Sequence, residues 1–103
     1  MGAAKQFAAQ GETLNWEHVV ERSQAAKSGF PQEWINHPDN LMLLESSTNF
    51  AKNGYYSKTF NWTGEKSIRN MLTGMPFHQQ WDFGMYVINT IRTNGKQGLP
   101  GNL

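Results

Sequence analysis

The spacing of apolar residues divides this chain into a strand-bearing first half and a helical second half. "LNWEHVV", residues 14 to 20, mixes aromatic and β-branched side chains and predicts a strand. "NLMLLE", residues 40 to 45, is a compact apolar run of strand length. Between them, Gly29, Pro31 and Pro38 punctuate a stretch with no sustained period, which predicts a long loop with one helical turn near Ser23–Lys27. "SSTNFAKNGYYSK" predicts a short helix capped near Ser46–Thr48 and ended by Gly54. Thr63 can cap "GEKSIRNMLTG", where Ile68, Met71 and Leu72 fall at i, i+3 and i+4 and Gly74 is the stop. Pro76 then opens "FHQQWDFGMYVINTIR", whose Phe77, Trp81, Met85, Ile88 and Ile91 form a core-packing stripe. At the N-terminus, "AAKQFAA" over residues 3 to 9 predicts one more short helix. The Gly- and Pro-rich stretch over 94–103 predicts a flexible tail.

These elements predict an α+β fold, mostly helical, in one domain over residues 1–103. A chain of this size should bury roughly 65% of the surface its unfolded form exposes. Four Trp, three Tyr and six Phe would make that core dense but small. Cysteine is absent, which excludes disulfides and thiolate metal sites. No run of 18 apolar residues is present, and "MGAAKQFAAQG" lacks the basic and apolar segments of a signal peptide, so the expectation is a soluble chain without a targeting signal.

Charge is unevenly spread. Residues 1–45 hold three basic and six acidic side chains, while residues 46–103 hold six basic and two acidic ones. A basic second half suits phosphate, and an acidic first half suits a cation or a basic partner.

The polar pair Glu17-His18 interrupts the first strand, and Asn40, Asn49 and Asn53 follow at fixed offsets. A strand with an acid–His pair, a loop, a second strand opened by Asn and then a helix resembles the ββα-metal motif of HNH endonucleases. "DNLMLLESSTNFAKNG" is similar to that family's Asn-Leu-x-x-Leu…Asn-x-x-Lys-x-Gly segment. "WEHVVERS", "FPQEWINHPDNL", "YYS" and "QQWDFGMYVI" look like the C-terminal nuclease toxin domains of bacterial Rhs-type polymorphic toxins. The resemblance covers roughly residues 14 to 92. It implies a ββα core at about 14–54, with further helices at about 63–93.

The resemblance also implies roles. His18 would be the general base and Asn40 the residue that orients it. Glu17, Asn49 and Asn53 would be ligands of one divalent metal ion. Many relatives have His at the place of Asn49, and Ile-His-Asn where this chain has Ile35-Asn36-His37. Oxygen ligands favour Mg²⁺, with Mn²⁺ or Zn²⁺ as alternatives. Histidine side chains titrate near pH ~6.5, so a neutral imidazole can take a proton from water near neutrality. Lys52, Lys58 and Arg22 would contact substrate phosphates, with Arg69 a further candidate. Trp16, Trp34 and Trp62 could stack on bases but are expected instead to anchor core or loops, and His78 to be structural. His37 is left open as a relocated ligand, a substrate contact or a loop residue.

The expected activity is metal-dependent cleavage of DNA by the toxin domain of a larger secreted bacterial protein. That protein would be delivered into target cells, would act in their cytoplasm, and would be countered by a cognate immunity protein. RNA as substrate, or a non-catalytic nucleic-acid- or protein-binding module on the same scaffold, are the alternatives.

Overall fold

Two short strands pair antiparallel, β1 (Leu14–His18) and β2 (Leu41–Glu45), in a register that sets Leu14 opposite Glu45 and His18 opposite Leu41. The computed structural model describes residues 12–101, so the helix predicted over residues 3–9 lies outside them. The connection between the strands holds α1 (Gln24–Lys27), α2 (Gln32–Ile35) and a 3₁₀ turn at Pro38–Asn40. Helix α3 (Ser46–Tyr56) starts directly after β2. A second 3₁₀ turn (Asn61–Thr63), the short α4 (Ile68–Leu72), the long α5 (Phe77–Asn94) and a last 3₁₀ turn (Lys96–Gly98) complete the chain. The result is an α+β fold dominated by helix around one two-stranded sheet. Among the described residues, no helix is long and apolar enough to cross a membrane.

The apolar residues sort into two clusters on either side of α5. Val19, Leu44 and Ile88 form one, with Met42, Trp81 and Met85 packed on it. Tyr55, Tyr56, Ile68, Leu72, Val87 and Leu99 form the other. Because α5 serves both, its fully buried line is Gln80, Gly84, Val87 and Ile88, offset from the stripe that periodicity alone predicts. Gly84 is where α5 crosses the end of β1: a Cβ there would lie 2.8 Å from both Val19 Cγ1 and the Val19 carbonyl oxygen. Only a residue without a side chain permits that approach.

Buried polar groups tie the layers together. Arg92 of α5 donates to both carboxylate oxygens of buried Glu45 at 3.2 and 3.1 Å, and to the Leu43 carbonyl at 3.2 Å. Thr48 Oγ1 donates to the same carboxylate at 2.7 Å. Gln24 donates to the Arg69 carbonyl and to Thr73 Oγ1, and accepts from Ser28. Gln80 in turn donates to Ser28 Oγ at 3.1 Å and to the Met75 carbonyl at 3.0 Å. These bonds fix the interstrand connection against α4 and α5, although it reads as an irregular loop.

Several boundaries differ from the sequence expectation. β1 stops at His18, because Val19 and Val20 turn inward and are buried. α3 runs through Gly54 to Tyr56, since packing of Tyr55 and Tyr56 outweighs the helix propensity that one glycine removes. α4 is capped by Ser67, whose hydroxyl accepts from Asn70 N at 3.1 Å, and not by Thr63. Thr63 instead closes its own turn on Phe60. The predicted flexible tail is held over its described part: Leu99 is 0% exposed in the second cluster, and Tyr55 donates its hydroxyl to the Pro100 carbonyl at 2.7 Å.

Candidate functional site

A cleft of about 230 Å³ is lined by Glu17, His18, Glu21, Arg22, Ser23, Lys52 and Asn53. Two separate stretches therefore meet there: residues 17–23, which are the end of β1 and the turn after it, and residues 52–53 in the middle of α3. Residues paired across strands share a face of the sheet. Glu17 thus lies on the side of Met42 and Leu44, and His18 on the side of Leu41 and Leu43. Both reach one cleft because β1 ends at His18 and the chain bends at Val19–Val20.

Asn40 is buried behind this corner, 1% exposed. Its Oδ1 accepts from Val20 N at 2.8 Å, and its Nδ2 donates to the Val20 carbonyl at 3.1 Å and the Ile35 carbonyl at 2.8 Å. Its own carbonyl accepts from Val19 N at 2.8 Å. Asn40 therefore fixes the backbone just beyond His18, and these bonds are to main chain, not to the imidazole. The ring's partner is Asn36, whose Oδ1 lies 3.3 Å from His18 Nε2. Periodicity gives no sign of Asn36. Its only sequence signal is its place in the Ile35-Asn36-His37 stretch.

Lys52 departs from the expectation of a surface phosphate grip. It is 2% exposed, with Nζ 4.4 Å from the centre of the Tyr56 ring and 3.5 Å from the His18 carbonyl. Burial pushes its pKa below the ordinary value, against the opposing pull of Glu21 and Glu17. Its Nζ is held in the cleft lining between the Tyr56 ring and the His18 carbonyl. Lys58 is also displaced from the expected site: it lines a different pocket, with Phe50, Tyr55, Lys96 and Leu99. The turn after α3 carries it away from the face that bears Lys52 and Asn53. Arg69 is engaged within the protein. Its Nε and Nη2 donate to Glu21 at 2.7 Å each, and Nη1 donates to Ser57 Oγ at 3.0 Å. Arg22 is exposed on the cleft wall, as a phosphate contact requires.

The burial of Lys52 has a measurable consequence. A lysine whose folded pKa is lowered binds fewer protons than in the unfolded chain, so stability rises with pH up to the ordinary value of 10.5. Lys52→Met removes that dependence. The variant should be at least as stable as the wild type at neutral pH, and this advantage should shrink towards pH 10.5. The gap should close by at most about 1.4 kcal/mol per pH unit. Urea midpoints of both proteins at several pH values check this.

For a metal, the donor chemistry is hard. Glu17 and Asn53 border the cleft, and Asn53 Nδ2 donates to Asn49 Oδ1 at 3.2 Å, which places the second amide beside the first. Among the described residues, no three His, Cys, Asp or Glu side chains cluster as a ready metal site. One carboxylate and one or two amide oxygens fit a cation that keeps most of its waters, such as Mg²⁺. His37 is outside this group: its Nδ1 accepts from Asp39 N at 3.0 Å, and it lines a separate aromatic cleft with Trp34, Phe77 and Trp81. Trp16, Trp34 and Trp62 are exposed, so none anchors the core, but Trp34 packs edge-on against Phe77 and Trp62 stacks on Phe60, as loop anchors would. His78 is exposed at the start of α5.

No protein-family model matches the chain, and neither a curated protein nor a solved structure does.

Proposed function

We propose that this protein is a metal-dependent endonuclease of the HNH type, acting on DNA as the toxic domain of a larger secreted bacterial toxin. The observation that carries the reading is the meeting of Glu17, His18, Arg22, Lys52 and Asn53 in one cleft, from segments up to 36 positions apart. A hairpin followed at once by a helix, with Asn40 bracing the strand end, supports a ββα core of that type. The sequence resemblance supports the toxin setting, the cognate immunity protein and action in a target cell's cytoplasm.

His18 would take a proton from the attacking water as the phosphodiester is hydrolysed. Arg22 would grip a phosphate at the cleft wall, and the Lys52 ammonium would supply fixed positive charge beneath it. Glu17 and Asn53, with Asn49 beside them, would hold the divalent ion. When bound, that ion offsets charge building on the phosphate oxygens.

The test is incubation of plasmid DNA and structured RNA with the protein in Mg²⁺, Mn²⁺, Zn²⁺ or EDTA. Nicking of DNA that needs a divalent ion is expected. Cleavage of RNA alone would reassign the substrate. Tight nucleic-acid binding without cleavage in any ion would replace the enzyme with a binding module.

A further inference from the structure

We propose that the cleft between Trp34, Phe77 and Trp81, with Asp39 at its rim, is a docking site for a basic protein segment and seats one arginine or lysine side chain against the rings. The proposal goes beyond the endonuclease reading and does not depend on it.

The cleft measures about 210 Å³ and is lined by Trp34, His37, Asp39, Asn40, Phe77 and Trp81. Phe77 and Trp81 stand at i and i+4 on α5 and so share a face. Trp34 comes from α2 and is braced by two rings: Phe77 meets it edge-on at 5.8 Å, and Phe30 lies 6.0 Å away. It is nonetheless 50% exposed. Trp81 Nε1 donates to the Asp39 carbonyl at 2.9 Å, which ties α5 to the 3₁₀ turn. That bond uses the indole's only donor, so what Trp81 brings to the cleft is its ring. Asp39 N donates to His37 Nδ1 at 3.0 Å and fixes the turn, while the Asp39 carboxylate stays open to solvent.

The charge around the rings selects the occupant. Among the described residues, no Lys or Arg lines the cleft. The two stretches that build it, residues 28–51 and 70–91, contain neither, but they hold Glu33, Asp39, Glu45 and Asp82. Glu45 is matched by Arg92 in the interior, and the other three are exposed. Such a surface repels a phosphate chain, which disfavours stacking of a nucleic-acid base. A cation gains twice, from the negative ring faces and from the Asp39 carboxylate. Arginine is the better fit, because its planar guanidinium also stacks on aromatic faces. A free organic cation would be poorly covered here, since small-ligand sites bury most of the ligand's surface and Trp34 is half exposed. The cation is therefore carried on a chain, whose further basic residues would meet Glu33 and Asp82, the sequence neighbours of Trp34 and Trp81.

The experiment titrates ¹⁵N-labelled protein with three probes: a short glycine peptide carrying two arginines, the same peptide with glutamines in their place, and a short oligothymidylate. The indole N–H signals of the four tryptophans are followed. The arginine peptide should shift Trp34 and Trp81 and leave Trp16 and Trp62 in place. Trp34→Ala should weaken its binding about fivefold, and Trp34→Phe should keep most of it. Asp39→Asn should weaken binding about threefold at low salt, with the loss fading as salt is raised. Trp16→Ala should change nothing. Circular dichroism of each variant reports its fold, and Asp39→Asn, at a 90% exposed side chain, keeps the test valid if Trp34→Ala unfolds. An arginine peptide that binds no better than its glutamine counterpart would overturn the proposal. So would shifts centred on Trp16 or Trp62. Oligothymidylate moving Trp34 and Trp81 where the arginine peptide does not would replace the docking site with a base-stacking one.

Discussion

Replacing His18 with alanine should lower cleavage by about two to four orders of magnitude, the usual contribution of a positioned general base, while the protein stays folded. The ring belongs to neither core cluster, and it contacts the Asn36 side chain at 3.3 Å. The Lys52 contact to residue 18 is to its main-chain carbonyl, which alanine retains. Truncation therefore removes one partly exposed hydrogen bond, worth roughly 1 kcal/mol or less. Initial rates on supercoiled plasmid, beside urea unfolding of both proteins, separate the two effects. A folded His18→Ala protein that cleaves within tenfold of wild type would exclude His18 as the base.

The second large effect concerns stability. Asn40→Leu should cost about 3–5 kcal/mol, a large share of the roughly 5–15 kcal/mol that holds a domain of this size together. The substitution deletes three hydrogen bonds at once. It also leaves buried main-chain groups of Val20 and Ile35 without those partners, and each such orphan costs about 1–3 kcal/mol. Leucine is close to asparagine in size, so the loss is one of hydrogen bonding more than of packing. Asn40→Asp is the sharper control. A carboxylate could still accept from Val20 N but would face two carbonyl oxygens that need a donor. It should be at least as damaging as leucine at neutral pH. A urea midpoint for Asn40→Asp near that of wild type would show that the amide donors are not what brace the corner.

These two residues also show how far the sequence could be read. The offsets linking Glu17-His18 to Asn40 and Asn49 anticipate a shared corner; Asn40 braces the strand end, whereas it is Asn53 that borders the cleft, with Asn49 beside it through one hydrogen bond. β2 is legible because five apolar-rich residues in a row leave little alternative. What stays hidden is burial created by distant partners. Gln24 and Gln80 look like surface amides, but Ser28, Thr73 and Met75 satisfy them in the interior. Lys52 looks like a solvated helix cation until Tyr56 and the end of β1 close over it. Asn36 and the Glu21–Arg69 pair act across 18 and 48 positions with no periodicity to mark them. The tail composition predicts looseness, which the burial of Leu99 overrides with one well-placed apolar side chain.

The Glu21–Arg69 tie has an electrostatic consequence. By composition, the first half of the chain should repel a polyanion. At the cleft, however, the Glu21 carboxylate is already matched by Arg69, and Glu17 has the Lys52 ammonium nearby. Among the described residues, Arg22 then remains on the cleft wall without a carboxylate paired to it. An approaching phosphate chain would meet a small positive opening in an acidic neighbourhood. Long-range attraction is weak in such an arrangement, and selectivity comes from the last few ångströms, where the Debye length of about 8 Å at physiological salt no longer screens.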